Sequence, residues 1–250
     1  MKNKFIDYYS ARSAVYAKYR PKYPPYLFKY LASICPKRNK ALDCATGSGQ
    51  AATGLSEYFE SVLASDPSKG QIANANRSDN LHYFVSTAEN NGIKSDSIDL
   101  ATVAQAAHWF DFDLFYDEIL RVLHKHGTIA FWSYNLLKIT SDIDNIIDNF
   151  YWKILKEYWS EERKYVDQDY STIPFPFNEI EPPAFSMTAK WNLDQLLGYL
   201  SSWSAVNNYS NINKVDPVSL IIDDLKSAWC APDKIRPINW PLNLRIGVVS

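Results

Sequence analysis

Two glycines downstream of an acidic residue mark the segment of this chain with the clearest chemistry. Residues 41–49 have the sequence ALDCATGSG, in which a short apolar run leads to Asp43 and then to Gly47 and Gly49. Glycine tolerates positive φ angles and lets a ligand approach the backbone closely, and a helical pattern resumes at Gln50. This order of strand, turn and helix predicts a loop that binds a nucleotide-type cofactor.

A second acid, Asp66, is suitably spaced to complete such a site. It follows the next apolar run, and Pro67 and the sequence SKGQ at 68–71, which has the form of a capping box, come directly after it. An acid at this distance from a glycine loop is typical of a residue that accepts hydrogen bonds from a ribose diol. The alternative is that its carboxylate only stabilises the N-terminus of the following helix.

His108 is the residue nearest the expected chemistry. It follows the apolar run 98–103, and open parallel sheets bind their ligands at the carboxyl ends of the strands. A histidine there can position a substrate, act as a general base, or simply pack in the interior. Trp109 and Phe110 come next and are suited to exclude water. The remaining histidines are expected to be structural: His82, His124 and His126.

Strands and helices alternate from about residue 25 to residue 133. The predicted strands are 40–44, 61–65, 82–85, 98–103 and 128–132. The predicted helices are 26–34, 50–59, 68–77 and 112–124, the last ending in the positively charged His124, Lys125 and His126 before Gly127. Repeated βαβ units with right-handed crossovers give a parallel sheet that is covered by helices on both faces.

The regular alternation of strands and helices ends after residue 133. A long amphipathic helix is predicted over about 143–158, residues 160–190 are aromatic and proline-punctuated without clear periodicity, and helices at 192–203 and 216–229 precede a strand at 242–249. We predict a single domain over residues 1–250. Its parts are a core with an N-terminal cap helix at 5–133, a substrate-side cap insertion at 134–190, and C-terminal helices with the final strand at 191–250.

The composition excludes several classes of protein. The chain has 250 residues, 46% of them hydrophobic, and a formal net charge of −2 with no basic run, so neither nucleic acid nor an anionic membrane is an expected partner. Its three cysteines lack CxxC spacing and predict neither a disulfide framework nor a metal site. No run approaches the roughly 18 apolar residues of a membrane span. We expect a cytoplasmic protein with a small-molecule partner, and we predict no particular oligomeric state.

Several segments together resemble the class I S-adenosylmethionine-dependent methyltransferases, and more closely the branch called methyltransferase type 11. They are LDCATGSGQ at 42–50, Asp66, TAE at 87–89, QAAHWFD at 105–111 and RVLHKHG at 121–127. The segment YAKYRPKYP at 16–24 resembles, within that branch, the small-acid carboxyl methyltransferases related to the trans-aconitate enzyme. The resemblance covers about residues 5–135.

The predicted fold class is therefore α/β. It is a Rossmann-like, doubly wound sheet of seven mostly parallel strands with an antiparallel last strand, plus a helical and aromatic cap.

The resemblance implies that S-adenosylmethionine is the cofactor. The backbone of Ala45, Gly47 and Gly49 would pack against its methionine part, and Asp66, with Pro67 beside it, would accept both ribose hydroxyls. Ala88 and Glu89 would border the adenine. Gln105 and Ala106 would border the methionine end, beside the sulfonium. A surface role for the Glu89 carboxylate is an equal alternative.

Three more residues have implied cofactor roles. Arg20 would pair with the cofactor carboxylate, because a guanidinium matches a carboxylate bidentately, and Tyr16 would close the cavity. Asp43 would orient the glycine loop or receive the cofactor ammonium group. The alternative for Arg20 is that it only stacks on aromatic rings or forms an ion pair.

The implied reaction is in-line methyl transfer to a small molecule, with a carboxylic acid as the acceptor class suggested by the branch. A carboxylate is already ionised, so His108 would only position it, whereas for a hydroxyl or an amine His108 would be the general base. Eight aromatic residues after 133 are candidates for lining an acceptor pocket. We expect about two thirds of these residues only to pack the cap against the sheet. The eight are Phe150, Tyr151, Tyr158, Trp159, Tyr165, Phe175, Phe177 and Phe185.

Two other functions compete with methyl transfer. An NAD(P)-dependent oxidoreductase is one, because Gly47, Gly49 and Ala52 fit the G-x-G-x-x-G/A spacing and Asp66 lies close to the required distance. A non-catalytic cofactor-binding protein is the other, because a fold alone does not establish turnover.

Overall fold

The computed structural model describes residues 20–249 of the chain. Tyr16, with its predicted role in closing the cavity, and the rest of the motif before Arg20 lie outside the described residues.

Apolar runs form the centre of the sheet, because helices cover both of its faces. Strands β1 (Lys40–Cys44) and β4 (Ile98–Ala104) are buried except at one terminal residue each. The other strands are β2 (Ser61–Asp66), β3 (Leu81–Val85), β5 (Leu123–Tyr134), β6 (Asn178–Ile180), β7 (Phe185–Trp191) and β8 (Arg236–Val248). Their order is β3-β2-β1-β4-β5-β8, and β6 and β7 both pair with the free edge of β8.

The helices lie between and after these strands. They are α1 (Pro25–Ile34), α2 (Gln50–Leu55), α3 (Lys69–Ala73), α4 (Phe112–Val122), α5 (Ser141–Asn149), α6 (Arg163–Asp167), α7 (Leu193–Ser201), α8 (Ser204–Asn213) and α9 (Ile222–Trp229). Shorter turns occupy Ala107–Trp109, Phe150–Ile154, Lys156–Tyr158 and Pro217–Leu220. Within residues 20–249, no helix combines the length and the apolar character that crossing a membrane requires.

The predicted class is confirmed: β1 to β5 are parallel, and the last strand, β8, runs antiparallel to β5. The described residues form eight strands where seven were predicted. The additional strand arises because two segments share the position beside β8. Pro182 and Pro183 lie between β6 and β7, and proline cannot donate the backbone hydrogen bond that would continue one strand.

The end of α4 differs from the sequence prediction. His124, Lys125 and His126 were expected in the last helical turn, but α4 ends at Val122 and β5 already begins at Leu123. This segment is part of β5 instead. Leu123 pairs with Ile98 of β4, and the register between the two strands shifts after that pair. The Nδ1 atom of His124 lies 2.9 Å from an Asp96 carboxylate oxygen, which gives that ring a partner outside the helix.

The long helix predicted at 143–158 is also shorter than expected. It ends at Asn149 and continues as a π-helical turn and then a 3-10 turn. Phe150 and Tyr151 in the wider turn are buried, and their rings pack against Trp203 with centroids 6.1 and 5.7 Å away. Aromatic packing between the cap and the C-terminal helices therefore overrides regular helical hydrogen bonding here.

Candidate active site

A cavity of about 980 Å³ opens at the carboxyl ends of β1, β2, β4 and β5. Parallel strands bring residues that are distant in sequence to one edge of the sheet. Ten of the predicted site residues line this cavity: Arg20, Ala45, Gly47, Asp66, Pro67, Ala88, Glu89, Gln105, Ala106 and His108. Asp43 and Gly49 do not lie on its wall.

Asp43 is fully buried behind the glycine loop. One carboxylate oxygen accepts a hydrogen bond from the Thr46 hydroxyl at 2.6 Å, and the other accepts one from the Thr102 hydroxyl at 2.8 Å. Burial raises the pKa of Asp43 to about 6, although both hydroxyl hydrogen bonds act in the opposite direction. Because Thr46 is in the loop and Thr102 is in β4, this carboxyl ties the loop to the sheet.

The two glycines serve different purposes. Both have positive φ angles, +57° at Gly47 and +81° at Gly49. A Cβ at Gly47 would meet nothing within 4 Å, whereas a Cβ at Gly49 would lie 2.0 Å from the Tyr83 hydroxyl oxygen. Gly49 is therefore required by packing against β3, and Gly47 is the glycine that faces the cavity.

Asp66 lies on the cavity wall and also contacts the start of the following helix. It is 7% exposed and lines the cavity at the end of β2. One carboxylate oxygen accepts from the Gly47 backbone N–H and the other from the Ser68 backbone N–H, both at 2.8 Å. In the predicted capping box, the Gln71 N–H donates to the Ser68 hydroxyl, and this bond is present. The Ser68 N–H, which the box would pair with the Gln71 side chain, donates to Asp66 instead. A carboxylate has about four lone-pair sites, so the bonds from Gly47 and Ser68 alone do not fill its acceptor capacity.

Gln105 connects the ends of β4 and β5. Its side-chain amide donates to the Tyr134 carbonyl at 3.0 Å and accepts from the Tyr134 N–H at 3.2 Å. Gln105 and Ala45 have φ angles of +56° and +52°, although neither is a glycine. Residues held in such conformations cluster at functional sites, where the surrounding structure enforces them.

Arg20 lies on the cavity wall and is held by aromatic residues. Its Nη1 donates to the Tyr134 hydroxyl at 2.9 Å, and its guanidinium lies 5.4 Å from the centre of the Tyr199 ring. Gln50 fixes the segment that follows, since its side chain accepts from the Tyr23 N–H and donates to the Pro21 carbonyl. The guanidinium is therefore positioned before any ligand binds.

Glu89 lines the cavity and also accepts the Asp111 backbone N–H at 3.2 Å, close to the start of α4. Its carboxylate thus has a structural partner in addition to its place on the wall.

His108 is 8% exposed and lies in the short turn after β4. Its Nδ1 is 2.8 Å from the Tyr170 hydroxyl, and its ring packs against Trp109 with centroids 4.8 Å apart. Burial lowers the pKa of His108 to about 3, and the positive charge of Arg163 acts in the same direction. The ring is neutral near pH 7 and is a weak base there.

Sequence reasoning missed most of the individual wall residues that 134–190 contribute. The missed residues are Tyr134, Glu161, Glu162, Lys164 and Pro174. No periodic pattern indicated them, because they come from a strand end, a five-residue helix and irregular segments. Of the eight cap aromatics, Tyr165 is the one on this wall within the described residues. Residues 20–249 contain no group of three or more His, Cys, Asp or Glu side chains arranged to hold a metal ion.

Comparison with known proteins agrees with this geometry. The family model described as a methyltransferase domain matches residues 42–131. A Dictyostelium discoideum protein named as a methyltransferase is 37% identical over 246 residues, which cover 96% of this chain and 94% of that protein. A Saccharomyces cerevisiae protein named as an S-adenosylmethionine-dependent methyltransferase is 24% identical over 270 residues, which cover 93% of this chain and 91% of that one. A solved structure from Anaeromyxobacter dehalogenans, named as a type II methyltransferase, has a TM-score of 0.87 at 40% identity and covers 92% of this chain and 97% of its own.

The chain belongs to the class I S-adenosylmethionine-dependent methyltransferases, in the type 11 branch. It is an enzyme, and S-adenosylmethionine is its cofactor. The family decides against the NAD(P)-dependent oxidoreductase, which shares the glycine spacing, and against the non-catalytic binding protein.

The cavity of this methyltransferase fits the cofactor. Space is open at Gly47, the Asp66 carboxylate lies on the wall beside it, and the small side chain of Ala88 leaves room next to Glu89. Pockets of about 300–1,000 Å³ hold drug-sized ligands, so this cavity of about 980 Å³ has room for the cofactor and a small acceptor.

The different environments of the two glycines lead to our first prediction. Alanine at either position takes on left-handed backbone strain, which costs about 1–2 kcal/mol. Only Gly49→Ala also forces the Tyr83 ring to move, so it should be the more destabilising of the two in urea unfolding. Gly47→Ala is the matched control, and equal losses of stability in the two variants would contradict the assignment of Gly49 to packing.

The buried histidine leads to a prediction about acid. The imidazole of the unfolded chain takes up a proton below about pH 6.5, whereas the folded ring stays neutral down to about pH 3. The stability that His108 contributes is present above about pH 6.5 and is lost as the pH falls toward 3. Between about pH 7.5 and pH 5.5, His108→Asn should lose about 1 kcal/mol less unfolding free energy than the wild type.

The Asp43 carboxyl has the opposite influence over part of this range. Because its folded pKa is raised to about 6, its protonation favours the folded state as the pH falls toward the ordinary carboxyl value. Both proteins contain Asp43, so the difference between them isolates the histidine. Identical pH dependence in wild type and variant would show that His108 is not a neutral buried ring.

Proposed function

We propose that this methyltransferase transfers a methyl group to a small carboxylic acid that binds in the cavity beside His108. S-adenosylmethionine supplies a methyl group on a sulfonium, which already contains a good leaving group. The protein therefore mainly has to hold the donor and the acceptor at reacting distance and to exclude water. The observation that carries the proposal is the buried position of His108, which lowers its pKa to about 3, on the wall that also holds the predicted cofactor residues.

The proposed cofactor contacts follow the order of the strand ends. Gly47 and Ala45 after β1 accommodate the methionine part, and Asp66 after β2 accepts the ribose hydroxyls. The other proposed contacts are Pro67 beside the ribose, Ala88 and Glu89 at the adenine, Gln105 and Ala106 at the methionine end, and Arg20 at the cofactor carboxylate. Their common place on one wall supports this arrangement.

The acceptor class follows from what His108 can do. A base with a pKa of about 3 is too weak to remove a proton efficiently from an alcohol or an ammonium group near neutral pH. A carboxylate needs no deprotonation, and its negative charge suits the Lys164 side chain on the same wall.

An amine is the second candidate, because carboxylates also line the cavity. They are Glu89, Asp111, Asp113, Glu161 and Glu162. Their negative charge favours a cationic acceptor.

The proposed organisation assigns the acceptor side to the cap. Residues 134–190 contribute Tyr134, Tyr165 and Pro174 to the wall, which supports their role as a substrate-side insertion in a single domain. Within the described residues the three cysteines form no disulfide, which supports a reducing, cytoplasmic location. The net charge of −2 supports a small molecule rather than nucleic acid as the partner.

The ribose role of Asp66 can be tested with Asp66→Ala. The affinity for S-adenosylhomocysteine in isothermal titration should fall by about 1–3 kcal/mol, because a charge-assisted hydrogen bond to the ligand is lost. The Gly47 and Ser68 amides also lose their acceptor, so the variant should unfold at lower urea and must be titrated while folded. Asp79→Ala, at an exposed position, is the control. Unchanged affinity in folded Asp66→Ala would leave Asp66 with only its structural role.

His108→Asn tests the catalytic assignment. Radiolabelled methyl transfer should be measured over a panel of carboxylic acids, phenols and amines, and the variant should lose roughly 10- to 100-fold in turnover of the acceptor that the wild type uses. Binding of S-adenosylhomocysteine should be nearly unchanged. The matched control is His82→Asn, because His82 is exposed on β3.

Two outcomes would overturn parts of the proposal. Equal turnover in His108→Asn and wild type would return His108 to a packing role. Methylation of amines but not of carboxylic acids would replace the acceptor class.

A further inference from the structure

A hydrogen bond to a buried tyrosine leaves His108 a single nitrogen for the substrate. The Tyr170 hydroxyl lies 2.8 Å from Nδ1 of His108, and Tyr170 is fully buried. His108 lines the cavity and Tyr170 does not. With Nδ1 engaged by the tyrosine, Nε2 is the nitrogen available to a ligand.

The direction of this hydrogen bond follows from the chemistry of the two groups. A neutral imidazole has one N–H donor and one lone-pair acceptor. A phenol donates more strongly than it accepts, because its oxygen lone pair is delocalised into the ring, whereas the unprotonated imidazole nitrogen is a strong acceptor. These preferences favour a bond that runs from the Tyr170 O–H to Nδ1, with the ring proton on Nε2.

Tyr170 is itself held in a strained position. Its φ angle is +60°, in the left-handed region that a bulky residue rarely adopts. Arg245 of β8 donates to the Tyr170 carbonyl at 3.2 Å and to the Ile173 carbonyl at 2.5 Å, and it forms an ion pair with Glu179 at 2.7 Å. Such strain persists where neighbouring contacts enforce it.

The chain that holds Tyr170 also reaches the cavity wall. The Tyr170 N–H donates to the Tyr165 carbonyl at 2.8 Å, and Tyr165 lines the cavity. The fold thus fixes the hydroxyl of Tyr170 relative to the wall on which His108 lies.

We propose that Tyr170 is a positioning residue that holds His108 in the tautomer with the proton on Nε2, so that His108 donates a hydrogen bond to the acceptor and does not take its proton. The substrate half of this proposal rests on the proposed function of His108. It requires an acceptor that is nucleophilic before binding, such as an ionised oxygen acid. The tautomer itself is a property of the free enzyme.

Nitrogen-15 NMR of the histidine rings tests the tautomer without any substrate. In ligand-free wild type near neutral pH, we expect His108 to show a protonated Nε2 and an unprotonated, hydrogen-bonded Nδ1. The signals are assigned by their loss in His108→Asn, and the other three histidines serve as internal references. In Tyr170→Phe the Nδ1 resonance should move, because its hydrogen bond is gone.

Either of two NMR results would overturn the proposal. One is a protonated Nδ1 in the wild type, which needs no variant to observe and therefore does not depend on whether Tyr170→Phe folds. The other is an unchanged Nδ1 resonance in a folded Tyr170→Phe variant.

Kinetics test the consequence for the substrate. With the acceptor identified in the panel, Tyr170→Phe should raise KM for that acceptor by roughly tenfold, and kcat and the affinity for S-adenosylhomocysteine should change much less. Tyr209→Phe, in α8 and away from the cavity wall, is the matched control. A fall in kcat with unchanged KM would overturn the positioning role. If the panel yields only amine acceptors, the proposed acceptor fails while the NMR result still decides the tautomer.

Discussion

A buried carboxyl group at Asp43 is the constraint on which the site depends. A carboxylate taken out of water is costly, and the pKa of Asp43 is raised to about 6 for this reason. The Thr46 and Thr102 hydroxyls compensate by donating to its two oxygens. Because one hydroxyl belongs to the glycine loop and the other to β4, the same compensation sets the position of the loop relative to the sheet. The loop conformation is thus coupled to the central strands rather than left to its own turn preferences.

Two further side chains at this edge of the sheet both line the cavity and hold backbone groups in place. Asp66 lines the cavity, yet it also accepts the N–H groups of Gly47 and Ser68. Gln105 lines the cavity, yet its amide pairs with both backbone groups of Tyr134. In the proposed arrangement, cofactor contact and fold stability therefore depend on the same side chains, and a substitution at either residue should alter both. These backbone hydrogen bonds fix both side chains on the cavity wall, and groups that are positioned in advance favour binding.

The sequence predicted the part of the molecule in which local patterns and long-range structure agree. Apolar runs that end in Asp43, Asp66 and Gln105 indicated the strand ends, and therefore the edge where the cavity lies. The sequence could not show that Gly49 packs on Tyr83 or that the 124–126 segment lies within β5, because both depend on a neighbouring strand. Tyr170 carried no signal, since a five-residue helix and a left-handed residue have no period to detect.

Burial of His108 has two consequences that act together on the chemistry. A dry site strengthens each hydrogen bond that holds the reactants, because water no longer competes. The same desolvation disfavours the imidazolium form, so the ring becomes a poorer base as the site becomes drier. A site built in this way suits a displacement whose nucleophile already carries its lone pair and negative charge. The low basicity of His108 is then consistent with catalysis, because holding the acceptor is the work that methyl transfer from a sulfonium requires.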